Sequence, residues 1–421
     1  RMAMLKISDN ARFLVCEDGT PFFYLADTAW ASFGNVPLEL WEPYLRYRKM
    51  QGFNALQISI LPIIHDRSVG PGLIEPFAQD EKGTYDFSQR NEAYFSKAEQ
   101  MVQMAVDYGF VPVLGMLWCC YAVQRKEPNP NRMTVEEVWE FSTFAARRFA
   151  KYDPIFFISG DTPQHDDEEI ELYRVALEAT KGVCPDALYT MHIAGRIVLD
   201  ERLIDGIDFY MYQSGHGANH QQASQKLAQQ FQKLPQKPIV NGEPCYEGHG
   251  RMGTEDRNKF SAFDVRRATW QSLLAGASMG ITYGAQGIWS GQVKGMRLMA
   301  QKRKFEAYDW EFAYQLEGSW DVGFAKWVFE SFKLADIEPV DLVGNEDSEI
   351  VVAADAARTK IVAYAPYTTS IEFDIDLSGY TCSCINLNDR RIWMPPVRTG
   401  KRSVIELPQF NHDMLFIAIE K

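Results

Sequence analysis

The sequence predicts a (β/α)8 barrel followed by a small antiparallel β-sandwich. Eight short apolar segments alternate with helical segments over about 310 residues, and repeated strand–helix units in this number are typical of a closed parallel barrel. From about residue 337 the pattern changes to closely spaced short strands with turn residues and no helix between them. The length of 421 residues also exceeds that of one ordinary domain. We therefore predict a barrel with an N-terminal β-hairpin over 1–336 and a sandwich over 337–421.

The elements of the barrel follow from apolar runs and helical periodicity. Two alternating runs, 5–8 and 12–15, flank Asp9-Asn10 and predict the hairpin. The predicted barrel strands are 22–26, 53–60, 110–117, 155–161, 187–192, 209–214, 238–240 and 280–285. The predicted helices are 37–50, 92–108, 134–152, 166–182, a weak one near 199, 220–234, 256–277 and 321–334. An open doubly wound sheet is the alternative, but the first strand–helix turn lacks the glycine-rich phosphate loop of a dinucleotide fold.

Two other regions complete the prediction of the fold. The span 61–91 is rich in Pro, Gly and charge, and we interpret it as a long functional or mobile loop. The predicted strands of the sandwich are 350–353, 360–364, 371–375, 382–385, 403–407 and 414–419.

Composition restricts the class of partner. With 46% hydrophobic and 24% charged residues, the chain is typical of a globular protein with ample core. The net charge of −13 argues against nucleic acid or an anionic membrane surface as a partner. No apolar run reaches the roughly 18 residues of a membrane helix, so we predict no membrane insertion. We expect a periplasmic or secreted protein if a leader precedes the sequence, and a cytoplasmic one otherwise.

Two carboxylates follow predicted strands in the same local context. Glu243 lies between Gly242 and Pro244 directly after strand seven, and Asp161 follows Gly160 at the end of strand four. Catalytic residues of such barrels lie at the carboxyl ends of the strands, and a pair of carboxylates is what glycoside hydrolysis uses.

Each carboxylate has an alternative interpretation. Asp161 could instead be the N-cap of the helix that follows it. Glu247 is the rival of Glu243 as catalytic group, and its alternative role is to pair with the charge of Arg266 or Arg251.

Other polar and aromatic side chains at strand ends are candidates for binding the substrate. Amides and imidazoles can bind sugar hydroxyls, and indole rings can stack on the apolar face of a sugar. The candidates are Asp27, Trp30, Gln57, Trp118, His192, Gln213, His216, Glu247, Tyr283 and Trp289. The pairs His65-Asp66 and His165-Asp166 lack a third ligand at suitable spacing, and the seven Cys match no zinc pattern. We therefore predict neither a metal nor another cofactor.

Several motifs resemble those of the apiosidase-like glycoside hydrolases, a family formerly described as a domain of unknown function. The motifs are 22–30 (FFYLADTAW), Gly160-Asp161, 213–216 (QSGH), 241–247 (NGEPCYE) and 282–284 (TYG). The segment after about 337 is similar to the collagen-binding-type β-sandwich that accompanies this family. The resemblance implies an exo-acting glycosidase on a plant or pectic glycan, with Asp161 as acid/base and Glu243 as nucleophile.

The chain departs from the family pattern at two positions. Ser159 stands where the family often has Gly, and Ile193 follows His192 where the family commonly has Pro. The second change alters a loop of the pocket, so the resemblance does not extend to a specificity for apiose. A barrel glycosidase for arabinofuranosides or galactosides, and a non-catalytic carbohydrate-binding protein, remain as alternatives.

Overall fold

The computed structural model describes residues 4–64, 68–69, 73–124, 129–254, 258–298, 307–406 and 412–421. Eight parallel strands form the predicted barrel, and a C-terminal pair of antiparallel sheets follows it, so the predicted fold class is confirmed. The barrel strands are β1 Tyr24–Thr28, β2 Ala55–Ser59, β3 Val111–Trp118, β4 Ile155–Gly160, β5 Tyr189–Thr190, β6 Tyr210–Gln213, β7 Ile239–Glu243 and β8 Gly280–Tyr283.

The strands pair in the order β5-β4-β3-β2-β1-β8-β7-β6. Between β5 and β6 the ring is closed by a parallel bridge from His192 to Met211 and by the Thr190 hydroxyl, which donates to the Phe209 carbonyl at 2.7 Å. All eight residues of β3 are buried, as expected for a strand that packs against the barrel interior on one face and helices on the other.

Eight helices alternate with these strands. They are α1 Leu38–Gln51, α2 Glu92–Asp107, α3 Val135–Phe149, α4 Asp167–Val183, α5 Glu201–Ile204, α6 Ala223–Phe231, α7 Ala262–Leu274 and α8 Gly318–Ser331. Local signals explain several ends: Thr134 and Glu137 form a capping box before α3, and Gly52 ends α1 in a left-handed conformation at φ 95°. The last helix begins at Gly318, three residues earlier than the predicted 321.

The structure corrects two predicted segments near the N-terminus. Phe22, predicted as the first residue of the first barrel strand, instead belongs to the short strand Pro21–Phe22, which pairs with Leu14–Val15. Leu14–Val15 also pairs with Lys6–Ile7. The span 61–91 is not wholly loop, because Phe77–Gln79 and Tyr85–Arg90 form an antiparallel hairpin. Phe77 and Tyr85 are buried, and this burial favours a strand although the surrounding sequence is polar.

The C-terminal region consists of two antiparallel sheets that share a buried core. The larger sheet contains, in order, Glu338–Pro339, Val351–Ala354, Lys360–Ala365, Met414–Glu420, Tyr380–Asn386 and Arg391–Trp393. The smaller sheet contains Ile371–Phe373, Ser403–Ile405 and Val397–Arg398. Three of these strands, at 338–339, 391–393 and 397–398, were not predicted because each has only two or three residues and is mostly exposed.

The larger sheet also packs on the barrel through a buried ion pair. Arg266 of α7 donates from Nε and one terminal nitrogen to the Asp413 carboxylate at 2.9–3.1 Å, and its other terminal nitrogen lies 3.3 Å from Asp321 of α8. Arg390 of the sandwich reaches the same Asp321 at 3.1 Å. Among the described residues, no helix is long and apolar enough to cross a bilayer.

Candidate active site

The carboxyl ends of four neighbouring strands bring five predicted residues together. They are Asp161 after β4, His192 after β5, Gln213 and His216 at the end of β6, and Glu243 at the end of β7. We call this group the Glu243 cluster, because its contacts converge on that carboxylate.

Both oxygens of Glu243 face an imidazole nitrogen. His192 Nε2 lies 2.9 Å from Oε2, and His216 Nε2 lies 2.8 Å from Oε1. The Glu243 residue is 8% exposed and His192 is fully buried, so the carboxylate lies at the bottom of the site. A buried carboxylate with two facing donors is held in one orientation.

The backbone sets the tautomer of both histidines. The Asp161 N–H donates to His192 Nδ1 at 2.8 Å, and the Tyr246 N–H donates to His216 Nδ1 at 3.2 Å. A ring nitrogen that accepts a hydrogen bond carries no proton, so in each neutral imidazole the proton is on Nε2. The His216 Nε2–H group can therefore donate to Glu243 without that histidine being charged, and the His192 Nε2 atom lies at contact distance from the other oxygen without forming a hydrogen bond to it.

This arrangement fixes the ionisation state of Glu243. Burial alone would raise the pKa of the carboxyl, but the contacts with His192 and His216 outweigh burial and lower the pKa well below its ordinary value. Glu243 is consequently a carboxylate at neutral pH. Such a group can attack or stabilise positive charge, but it cannot deliver a proton.

Asp161 occupies an unusual backbone conformation at the edge of the cluster. Its φ is +54°, in the left-handed region that non-glycine residues seldom adopt. Gln213 Nε2 donates to Asp161 Oδ1 at 2.9 Å and to the Ile193 carbonyl at 2.8 Å. The alternative that Asp161 caps the next helix is wrong, because Asp166 is the N-cap of α4 and accepts from the Glu169 N–H.

Aromatic side chains surround His192. The Trp118 ring stacks on the imidazole at 5.4 Å, and Trp30 meets it edge-on at 5.2 Å. Gly160 is needed beneath this stack, since a Cβ there would lie 2.1 Å from the Trp118 ring. Gln57 lies inside the barrel and donates to the Gly242 carbonyl at 3.3 Å, just before Glu243.

Tyr246 is a site residue that the sequence analysis did not single out. Its hydroxyl accepts from Trp30 Nε1 at 2.7 Å, its ring lies 4.3 Å from that of His216, and Trp289 stacks beyond it at 6.5 Å. The signal was available, because Tyr246 lies inside the NGEPCYE motif three residues after Glu243.

Three predicted substrate-binding residues lie outside the Glu243 cluster; they are Asp27, Glu247 and Tyr283. Asp27 is three residues from Tyr24, whose hydroxyl reaches Gln57 inside the barrel, and so it points to the opposite face of β1. There its Oδ2 accepts from Arg48 Nε and from the Tyr44 hydroxyl, both at 2.6 Å.

Glu247 and Tyr283 belong to the same outer region. The Tyr283 hydroxyl donates to Glu247 Oε1 at 2.6 Å, and the Gly318 N–H at the start of α8 donates to both oxygens at 2.9 and 3.0 Å. Arg48 lies over the Tyr283 ring at 5.4 Å. We call Asp27, Tyr44, Arg48, Tyr283 and Glu247 the outer polar network.

The predicted structural role of Glu247 is also corrected. Neither Arg266 nor Arg251 pairs with it, because Arg266 binds Asp413 and Asp321 while Arg251 binds Asp264 at 2.8 Å.

Within the described ranges, no three His, Cys, Asp or Glu side chains come together in a way that could hold a metal ion. The pair His65-Asp66 lies outside the described residues.

Comparison with known proteins identifies the family. Residues 8–336 match the apiosidase-like catalytic domain. The chain belongs to the apiosidase-like glycoside hydrolases. The family seen in the sequence motifs is therefore confirmed, and the protein is a glycosidase whose substrate is a glycan.

Solved structures support the fold of this apiosidase-like protein. A structure described as a glycoside hydrolase superimposes with a TM-score of 0.81 at 20% identity, covering 100% of this chain and 97% of that one. A glycoside hydrolase family 5 protein from Bacteroides vulgatus gives a TM-score of 0.80 at 20% identity, covering 99% and 93%. No curated protein matches the chain by sequence.

Proposed function

We propose that this apiosidase-like protein removes a terminal sugar from a plant or pectic glycan, with Glu243 as nucleophile and Asp161 as acid/base. The observation that carries the proposal is the contact of both Glu243 oxygens with the Nε2 atoms of His192 and His216. A nucleophilic carboxylate must be ionised and correctly oriented before the substrate binds, and these two contacts provide both conditions.

The reaction then takes two steps. In the first, a Glu243 oxygen forms a bond to the anomeric carbon while the bond to the leaving oxygen breaks and Asp161 gives that oxygen its proton. In the second, Asp161 takes a proton from water, whose oxygen displaces Glu243 from the anomeric carbon. The sugar is released with its original anomeric configuration, and both carboxyl groups return to their starting states.

The remaining cluster residues have binding roles in this proposal. Gln213 orients Asp161, and His192 and His216 orient Glu243. Trp118, Trp30 and Trp289 form an aromatic wall with Tyr246, to which the apolar face of a sugar can bind. Gln57 supports the backbone before Glu243 from inside the barrel. The outer polar network has no direct contact with substrate.

Burial of the cluster supports attack at a chain end. Glu243 is only 8% exposed, Trp118 4% and Trp30 2%, and this burial favours a terminal sugar over an internal bond of a polymer as the group that reaches the carboxylate.

The test combines two variants with a substrate panel. Nitrophenyl glycosides, including apioside, arabinofuranoside and galactoside, and pectic oligosaccharides are first assayed with the unmodified protein. Glu243→Gln should then lose about a hundredfold or more of kcat/KM on any active substrate, and Asp161→Asn should lose as much on an active pectic oligosaccharide, whose sugar leaving group needs a proton. Near-normal turnover in either variant contradicts the assignment of that residue. Binding of glycans without release of sugar by the unmodified protein would support the carbohydrate-binding alternative.

A further inference from the structure

One buried carboxylate close to the cluster has no role in the proposed reaction. Glu169 lies in the first turn of α4, and its side chain is fully buried. Instead of facing solvent, it turns back towards the loop that leads from β4 into the helix. That loop begins with Asp161.

Three donors from this short loop converge on Glu169. The Thr162 hydroxyl donates to Oε1, and the Gln164 N–H reaches the same oxygen at 3.2 Å. The His165 N–H donates to Oε2 at 2.8 Å. A buried carboxylate that accepts three hydrogen bonds fixes the groups that donate to it.

The segment that Glu169 fixes contains two strained residues. Asp161 and Gln164 have φ of +54° and +56°, and they lie on either side of Thr162. A left-handed conformation at a residue other than Gly costs of order 1–3 kcal/mol and persists only where surrounding contacts impose it. The donors to Glu169 provide such contacts at Thr162, Gln164 and His165.

The same contacts extend to the loop that carries His192. Thr162 forms a parallel bridge with Ile193, and its carbonyl accepts from the Ala194 N–H at 2.9 Å. Gln164 donates to the Val198 carbonyl at 3.1 Å and accepts from the Asp200 N–H at 2.6 Å. Glu169 therefore holds the two segments whose relative position brings the Asp161 N–H to His192.

We propose that Glu169 is a positioning residue, which holds Asp161 in the orientation from which it can protonate the leaving oxygen. The inference rests on the proposed acid/base role of Asp161. It predicts a defect in proton delivery, which differs from a general loss of stability.

The dependence on the leaving group separates these two effects. Nitrophenolate leaves with little help from an acid, whereas an alkyl or sugar leaving group needs a proton. For Glu169→Gln we expect kcat/KM, which reports the first step, to fall about 10- to 100-fold on an alkyl glycoside of the preferred sugar. The fall in kcat/KM should be much smaller on the 4-nitrophenyl glycoside of that sugar. Because Asp161 also activates the water of the second step, kcat on the nitrophenyl substrate should fall as well, and the comparison therefore uses kcat/KM.

Glu168→Gln is the matched control. Glu168 precedes Glu169, but its side chain is 78% exposed and it only pairs with Arg132 at 3.0 Å. We expect wild-type kcat on both substrates for this variant. If Glu169→Gln does not accumulate as a folded protein, Thr162→Val removes one donor to the carboxylate and should show a smaller loss of the same kind.

Two results would overturn the inference. One is an equal loss of kcat/KM on both substrates, which indicates a general structural defect, and the other is no loss of kcat/KM on either. Asp161→Asn is measured in parallel. If it shows the leaving-group dependence and Glu169→Gln does not, the positioning role fails while the proposed function stands. If Asp161→Asn itself shows no dependence, the acid/base assignment fails, and the positioning role fails with it.

Discussion

Glu243 is the last residue of β7 and Glu247 follows four residues later; both are buried, yet the pKa values of their carboxyl groups are shifted in opposite directions. Contacts with two imidazoles outweigh burial at Glu243 and lower its pKa. At Glu247, burial outweighs the hydrogen bonds from Tyr283 and the Gly318 N–H and raises the pKa. The first residue belongs to the Glu243 cluster and the second to the outer polar network.

The difference shows that burial does not by itself set the role of a carboxylate. What decides is the number and kind of donors that the fold brings to its oxygens. Each oxygen of Glu243 faces an imidazole ring whose tautomer the backbone fixes. Glu247 instead joins the loop after β7 to β8 and to the first turn of α8. We propose the first residue as the nucleophile, and the second connects separate elements of the fold.

The largest expected contrast is in activity. Glu243→Gln should lower kcat/KM by about 10²–10⁴-fold, because the amide cannot replace an ionised nucleophile. The kcat/KM of Glu247→Gln should stay within about threefold of the wild-type value, because the amide oxygen of the new glutamine can still accept from Tyr283 and Gly318. Steady-state kinetics on one substrate measures both. A loss at Glu247 as large as that at Glu243 would reverse the two assignments.

The next effect is on stability and concerns the outer polar network. Arg48→Met should lower the free energy of unfolding by about 3–5 kcal/mol, because it leaves the buried Asp27 carboxylate without its charge partner. Urea denaturation measures the change. The control is Arg46→Met on the same helix, where a 64% exposed arginine lies 3.8 Å from Glu42 and should contribute less than about 1 kcal/mol. Similar losses of unfolding free energy in the two variants would contradict the stabilising role of the buried Arg48–Asp27 pair.

A third effect is on the pH dependence of activity. His216→Ala removes one donor from Glu243, so the pKa of that carboxyl should rise by about one unit, the equivalent of one hydrogen bond to a charged group. The acid limb of kcat/KM should move to higher pH accordingly. His220→Ala, an exposed position on the same loop, serves as the control. An acid limb that does not move would show that the His216 contact does not keep Glu243 ionised.

The smallest effect is on the pH dependence of stability. Because the pKa of Glu247 is raised in the folded state, its contribution to stability is complete below the unfolded pKa of about 4.3 and is lost as pH rises through the folded pKa. Glu247→Gln removes this dependence. At neutral pH the free energy of unfolding of this variant should therefore be equal to that of the wild type or higher by up to about 1 kcal/mol. Unfolding curves at pH 4, 6 and 8 test this. A variant that loses stability relative to the wild type as pH rises would show that the charge of Glu247 is stabilising.

The sequence by itself determined the fold class and the strand ends. Apolar runs such as Val111–Trp118 are long enough to identify a buried strand, and glycines such as Gly160 and Gly242 mark where the chain leaves the barrel. The carboxyl ends of barrel strands meet on one rim. The sequence alone therefore groups the residues that follow these strands, which are Asp161, His192, Gln213, His216 and Glu243.

Only the tertiary structure decided which way each side chain points. Asp27 and Tyr283 lie at strand ends as predicted, but both point to the helices, because alternate residues of a strand face opposite sides. The tautomers of His192 and His216 depend on N–H groups of Asp161 and Tyr246, which are distant in sequence. Likewise, Glu169 has the sequence context of an ordinary first-turn glutamate, and only the path of the preceding loop brings three donors to it. Such contacts join separate segments of the chain, so no local pattern contains them.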